Sequence, residues 1–488
     1  MKKTLLLMAI SLISNSFVQS QSGQVKKITL TADQVGGILN LYENGLAIRT
    51  SDKRQYEFTF YDTDLKKSGT AKFLLEGKRA YINSTYFDTI LNKILVVITE
   101  RKKNTLLVMS SDGKKKKFVD LVSPAKSTIN TNFITIDKTT YLLVIKKKKV
   151  LLCTIEIDNG KVTPIEMPEE WKARTILKIM RVNSKYLSVF YLDKKVKNKT
   201  FKNVALLDDD GKVVEDMLVT NEESDFPIEE FSITDLGNDE LAIAGTYGSN
   251  IKSDYSIGMF VAKLENLKLS YIKYFDYNSI KNFYNFLPEK KKEKAEKRAE
   301  KNAKKGRSTK YLAVTHPVVV VNGNLVVTAE FFYPTYRTEV TTTNVNGSAQ
   351  TTSRQVFDGY QYTHTMILGV DNNGNKEFEY CIPFYLDYKP YYASQRLKRR
   401  INGDEIKYSY IASNKIYSFS ITNDILEVND PKKLVEVDED KKLKSVSSNI
   451  DSWYDNYFYS LISYTTKEKG KVIGGKETNY FLLKLAVE

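Results

Sequence analysis

The chain has 488 residues, 42% of them hydrophobic and 27% charged, and 74 Lys+Arg against 59 Asp+Glu give a net charge of +15. A charge of this sign speaks to solubility and to attraction for anions, not to fold. With two histidines and two cysteines in all, no His/Cys cluster at zinc spacing can be assembled, which excludes a zinc site of that kind.

In chain order, Met1-Lys2-Lys3 leads an apolar stretch from Leu5 to Ile13, and Val18-Gln19-Ser20 follows. A basic start, a short apolar region and small residues before a cut form the pattern of a secretory signal peptide. Residues 1–20 are therefore predicted to be removed, and the mature chain to begin near Gln21. Losing Lys2 and Lys3 leaves 72 basic against 59 acidic residues, or +13. No later window approaches the roughly 20 apolar residues that a spanning helix needs, so no transmembrane segment is predicted. The expected location is outside the cytoplasm: periplasmic, on the cell surface or secreted.

The remaining length would by itself suggest about three domains, but one phrase recurs along it. An alternating strand is followed by an Asp or Asn turn, often with Gly, then a Lys and another alternating strand. Examples are TFYDTDLKKSGTAKFLL around Asp64, LLVMSSDGKKKKFVDLV around Asp112 and NVALLDDDGKVVEDMLV around Asp210. Period-two alternation about such turns marks a hairpin, because Asn, Asp and Gly tolerate the positive φ that a tight turn requires. The markers Asp64, Asp112, Asn159, Asp210, Asn266, Asn373 and Asp424 are 48, 47, 51, 56, 107 and 51 residues apart, a period near 50 with one long step that holds two insertions.

A second hairpin precedes each turn, as in Leu39 to Leu41 through Asn44-Gly45 to Ile48, giving four strands per unit. Units begin near Gly36, Asp88, Phe133, Ile179, Ile233, Pro317, Ile401 and Ile450. Repetition of this kind predicts an all-β chain: a single β-propeller over residues 21–488, with eight four-stranded blades, seven being the alternative count. The last unit stops one strand short and the mature chain starts with a spare one, Val25 to Leu30. That N-terminal strand is predicted to pair with residues 480–487 and close the ring.

The segment GMFVAKLENLKLSYIKYF, from Gly258 to Phe275, resembles the G-x-F-V-A-K-L … W/Y-x-K-x-F repeat of secreted bacterial β-propeller proteins of the SBBP type. The resemblance implies an extracellular propeller and no shared activity. Cys153 and Cys381 lie in apolar runs of units three and six. They are predicted to be free buried thiols, since nonadjacent blades cannot bring Cα atoms within the roughly 7 Å of a disulfide.

Consecutive strands alternate in direction, so loops between second and third strands share a face with the links between units. The tight Asp-Gly turns take the other face. Three features are expected together on the first. Residues 288–306 read as a charged helix, with Pro288 at its start, Gly306 past its end and Glu293/Lys297 and Glu300/Lys304 at i,i+4. Residues 336–358 read as a protruding Thr-rich hairpin turning at Asn346-Gly347. The link over residues 385–400 interleaves Tyr388, Tyr391 and Tyr392 with Arg396, Lys398, Arg399 and Arg400. That mixture suits sugar stacking, phosphate contact or a protein hot spot, and these seven residues form the candidate binding set. Their charges are expected to be exposed, so that Gln in place of the four basic residues leaves thermal stability nearly unchanged.

No Gly-x-Ser-x-Gly, phosphate-cradling Gly loop or dinucleotide fingerprint occurs, and neither a cofactor nor a metal site is predicted. The run Asp371-Asn372-Asn373-Gly374-Asn375 offers oxygens at alternate positions, but an EF-hand needs Gly at the sixth place and Glu at the twelfth, where Lys376 and Ile382 stand. It reads as a hairpin turn. His316, before Pro317, and His364, on a strand, read as structural. Carboxylates for glycoside cleavage would come from separate blades and leave no local spacing; Asp225, Glu229 and Glu230, in a link on the insertion face, are the first candidates. The preferred reading is an exported, non-catalytic binding or scaffolding propeller for a protein or an anionic polymer such as a polysaccharide, with nucleic acid not expected. The alternative is a carbohydrate-active enzyme with an acidic site in the central funnel.

Overall fold

Lys93–Glu100 (KILVVITE) is apolar at consecutive positions and buried throughout its middle, whereas Lys67–Leu74 alternates and is mostly exposed. The difference follows from place. A second strand of a unit is covered on both faces by neighbouring sheets, and a fourth strand is an outer edge. The computed structural model describes residues 25–486 apart from 31–34, 102, 123–127, 147–148, 170, 172–173, 197–198, 218–225, 250–254, 346–347, 435–440, 456 and 469–476. The proposed signal peptide, Asp225 and the Asn346-Gly347 tip lie outside the described residues.

Eight antiparallel sheets follow one another along the chain, the main strands of the first seven in sequential order and the eighth completed by a strand from the other end of the chain. Their first strands are Val35–Asn40, Ala80–Asp88, Thr128–Ile136, Thr175–Arg181, Ile228–Gly237, Leu312–Thr315, Lys398–Asn402 and Lys441–Ser452. The unit starts read from the sequence thus fall late: Phe133, Ile179, Ile233, Ile401 and Ile450 lie inside first strands, Asp88 ends one and Pro317 follows one. Short fifth strands, Val319–Val321 and Lys432–Lys433, join the sixth and seventh sheets. The eighth sheet has three strands of its own, and Val25–Leu30 supplies the fourth. It pairs antiparallel with Glu477–Ala486, in register from Val25↔Leu485 to Leu30↔Tyr480, the pairing expected from the spare strand.

The core is divided between the sheets. Of eight hydrophobic clusters among the described residues, seven each draw on two sheets that are successive in the chain, and one joins the last sheet to the first. Phe58 and Phe60 pack on Ile94 and Val96 between the first and second. In the eighth cluster Trp453 and Leu482 pack on Leu46 and Ile48, which brings the last sheet against the first. Polar contacts accompany that seam: Trp453 Nε1 donates to Tyr42 O and Gly45 O at 3.0 and 3.1 Å, and Asn40 Nδ2 to Ser452 O at 2.8 Å. The Lys484 ammonium lies 3.9 Å from the Tyr457 ring centroid, a cation–π contact that satisfies a half-buried charge.

The turns between third and fourth strands take the form the Asp-Gly phrase implies. In three of them the leading Asp side chain caps the loop, Asp62, Asp208 and Asp371 each accepting from backbone N–H groups two and four residues on. Gly160 holds φ +74°, and a Cβ there would stand 2.3 Å from Asp120 O of the preceding sheet, so both conformation and neighbour require Gly. Asp371 is therefore a turn former, and no group of three or more His, Cys, Asp or Glu side chains placed to hold a metal occurs among the described residues.

The charged insertion is helical over Glu289–Ala303. It is seated rather than wholly solvated: Ala299 is 5% exposed and joins the cluster between the fifth and sixth sheets. The hairpin is made by the outer halves of Asn324–Val345 and Ser348–Val370, with the described residues Ala349 to Gln355 all exposed. Cys153 and Cys381 are free, in the third and sixth sheets.

Candidate functional site

First strands of neighbouring sheets lie side by side, as Ala80–Asp88 does with Val35–Asn40 and with Thr128–Ile136, and Lys398–Asn402 with Lys441–Ser452. Beside the link that leads into the seventh sheet lies a cavity of about 430 Å³. Its lining comes from four sheets and one link: Glu230 from the fifth, Val314 and Thr315 from the sixth, Ala393 to Arg396 from the link, Lys398 from the seventh and Asn449 from the eighth.

The link is held in place from beneath. Glu330, fully buried on the second strand of the sixth sheet, accepts from the backbone N–H groups of Arg396, at 3.0 and 2.9 Å to its two oxygens, and of Leu397 at 3.0 Å. His316 Nε2 lies 2.6 Å from Glu330 Oε1. Burial holds the His316 imidazole below its usual range, outweighing the neighbouring carboxylate, so the ring is neutral near pH 7 and its Nε2–H donates to Glu330. Tyr362 Oη donates to Ser394 O at 2.6 Å, and Gln395 Nε2 donates to Thr315 O at 2.7 Å. A buried carboxylate satisfied by three donors thus anchors the stretch that presents Arg396.

The sequence-derived binding set is divided by this arrangement. Arg396 and Lys398 both line the cavity. Tyr391 and Tyr392, 58% and 83% exposed, stand on the link beside it, and Tyr392 O accepts from Arg396 Nη2 at 3.1 Å. Tyr388 is instead packed against the core between the sixth and seventh sheets, where burial raises its phenol.

Lys398, Arg399 and Arg400 belong to the first strand of the seventh sheet and not to the link. Arg399 turns away from the cavity, donating to Pro317 O, and burial depresses its guanidinium. Arg400 donates to Tyr457 O at 3.0 Å at the next seam and is likewise depressed by burial. The expectation that all four basic residues are freely exposed is corrected here: at Arg399 and Arg400 the charge is part of the packing, and Gln costs stability.

Of the suspected acids, Glu230 lines the cavity and Glu229 is not among its lining. Among the described lining residues Glu230 is the single carboxylate, whereas glycoside cleavage commonly draws on two. Glu330, Thr315, Gln395 and Asn449 were not singled out from the sequence, and His316 was read there only as structural. For Glu330 a signal was present: a lone carboxylate inside the apolar run NLVVTAEFF needs buried partners.

The link touches the bases of both insertions. Tyr385 Oη donates to Phe286 O at 3.0 Å just ahead of the helix, Lys389 pairs with Asp358 at 2.8 Å at the hairpin base, and the Tyr391 ring meets Phe357 at 6.0 Å.

The chain matches no protein-family pattern and no curated protein sequence. Among solved structures it is similar to the Dos1 propeller, at 9% identity over 94% of each chain and a TM-score of 0.42. It is similar also to dihydro-heme d1 dehydrogenase NirN in complex with DHE, at 10% identity over 94% of this chain and 78% of that one, TM-score 0.42. A third is prolyl oligopeptidase B from Galerina marginata, at 12% identity and TM-score 0.41, of which this chain spans 55%. None of these likenesses bears on activity.

Proposed function

We propose that the chain is an exported, non-catalytic β-propeller whose link-side face binds an anionic polysaccharide. The eight sheets are its blades, closed into a ring by Val25–Leu30, and the cavity is the mouth of its central channel. The observation that carries the reading is the lining of that mouth, where Arg396 and Lys398 stand with neutral polar groups and one carboxylate, beside the exposed rings of Tyr391 and Tyr392. Export is supported by the leader pattern of residues 1–20 and by the resemblance of residues 258–275 to repeats of secreted bacterial propellers.

The test is binding of the mature chain to immobilised polygalacturonate and to neutral galactan, across a salt series. Retention on the acidic polymer alone, weakening as salt rises, is the expected result. Equal retention on both, or release of reducing sugar from either polymer, overturns the reading.

A further inference from the structure

Resting on that reading, we infer that the cavity is a site for a single hydroxylated carboxylate, the ring of one sugar acid, taken either free or as the end of an acidic polysaccharide. At about 430 Å³ the cavity falls within the roughly 300–1,000 Å³ of small-molecule sites. The lining is chemically mixed in the way such a ligand requires. Arg396 and Lys398 offer N–H donors to a carboxylate, and a guanidinium matches that group's geometry. Thr315, Ser394, Gln395 and Asn449 are neutral hydrogen-bonding partners for hydroxyls, and the Glu230 carboxylate accepts from hydroxyl donors.

Charge selects among anions. Two lining cations against one lining carboxylate leave one unit of positive charge. Asp451, 3.2 Å behind Lys398, brings the formal count to zero, though at 40% exposed its charge is partly screened by water. With so little positive charge beside Glu230, a phosphate dianion is disfavoured more than a monoanion. The site is also prepared in advance. The backbone of Arg396 is fixed by Glu330, and Thr315, 4% exposed, keeps an Oγ1 with no hydrogen-bond partner. An unsatisfied buried hydroxyl beside a polar cavity is a group that a ligand or an ordered water would complete.

The experiment is calorimetric titration of the mature chain with galacturonate, galactose and inorganic phosphate, repeated on Arg396→Gln and Glu230→Gln. Because Glu330 holds the link through backbone N–H groups, Arg396→Gln leaves the fold in place, and its melting temperature checks this. Galacturonate is expected to bind, with galactose and phosphate weaker by about tenfold or more. Arg396→Gln should lose about tenfold for galacturonate, and Glu230→Gln should move preference toward phosphate.

Phosphate bound as tightly as galacturonate, or galacturonate bound equally by Arg396→Gln, overturns the inference. The two readings fail separately. If polygalacturonate binding survives Arg396→Gln but is lost in Tyr391→Ala/Tyr392→Ala, the polysaccharide function stands and the cavity assignment falls. If the free sugar acid binds and the polymer does not, the reverse holds.

Discussion

His364 is fully buried between two phenyl rings, stacked on Phe286 at 3.8 Å and on Phe331 at 4.5 Å. Burial drives its imidazole well below the ordinary value, since a cation there would lose its hydration. A folded-state pKa below the unfolded one means that the unfolded chain takes up the proton first. Stability is then full above about pH 6.5 and falls as pH drops below it, by up to about 1.4 kcal/mol per pH unit for one site. His316 is depressed in the same direction and adds to the slope. The variant His364→Phe should reduce the difference in urea midpoint between pH 7 and pH 5; an unchanged difference would show that His364 is not a source of acid sensitivity.

Glu330 makes a complementary case, a carboxylate kept in the interior by His316 and two backbone N–H groups. Glu330→Gln places an NH₂ group among donors, and a loss of about 2–3 kcal/mol is expected in denaturant unfolding. A variant as stable as the parent would mean that the link carrying Arg396 is held by other contacts.

At the scale of elements, Val25–Leu30 has the largest consequence for its size. It covers the outer edge of Glu477–Ala486 along six paired positions, and Leu30 enters the cluster at the junction of the eighth and first sheets. Without it that strand becomes an exposed edge able to pair with another chain. A chain lacking residues 21–30 should show earlier-eluting species in size-exclusion chromatography and a lower melting temperature; a monomer of unchanged stability would mean that the pairing adds nothing. The Thr-rich hairpin differs in kind. Its base meets the link at Phe357 and Asp358, the described residues Ala349 to Gln355 are exposed, and an isolated two-stranded ribbon contributes little to stability.

For the molecule as a whole, the division of the core into clusters shared by successive sheets places Cys153 and Cys381 in separate clusters or at their margins. Burial pushes the Cys153 thiol up to about 11 and the Cys381 thiol up to about 12, leaving almost no thiolate at neutral pH. Ellman titration should therefore find the two cysteines slow to react in the native protein and both reactive after denaturation without reductant. Rapid native reaction of either would show that its cluster opens, and their absence after denaturation would show a bond between distant sheets.

How much of this could be read along the chain depended on the range of the interaction. The hairpins were legible because a two-residue periodicity and an Asp-Gly turn are local facts, and so was the four-strand unit repeated eight times. The pairing of Val25–Leu30 with the last strand was legible too, by counting strands, because a lone edge strand needs a partner. The helix boundaries followed from Pro288 and Gly306, although the seating of Ala299 did not. The binding set was legible only in part. Arg399 and Arg400 looked like Arg396 in sequence, yet alternation along Lys398–Asn402 and the neighbouring seams took them away from the cavity. Which residues meet in that cavity was decided by tertiary structure alone, since Glu230, Thr315, Arg396 and Asn449 stand 85, 81 and 53 residues apart in turn. Their convergence follows from the packing of four successive sheets and one link against each other, and no local pattern in the chain encodes it.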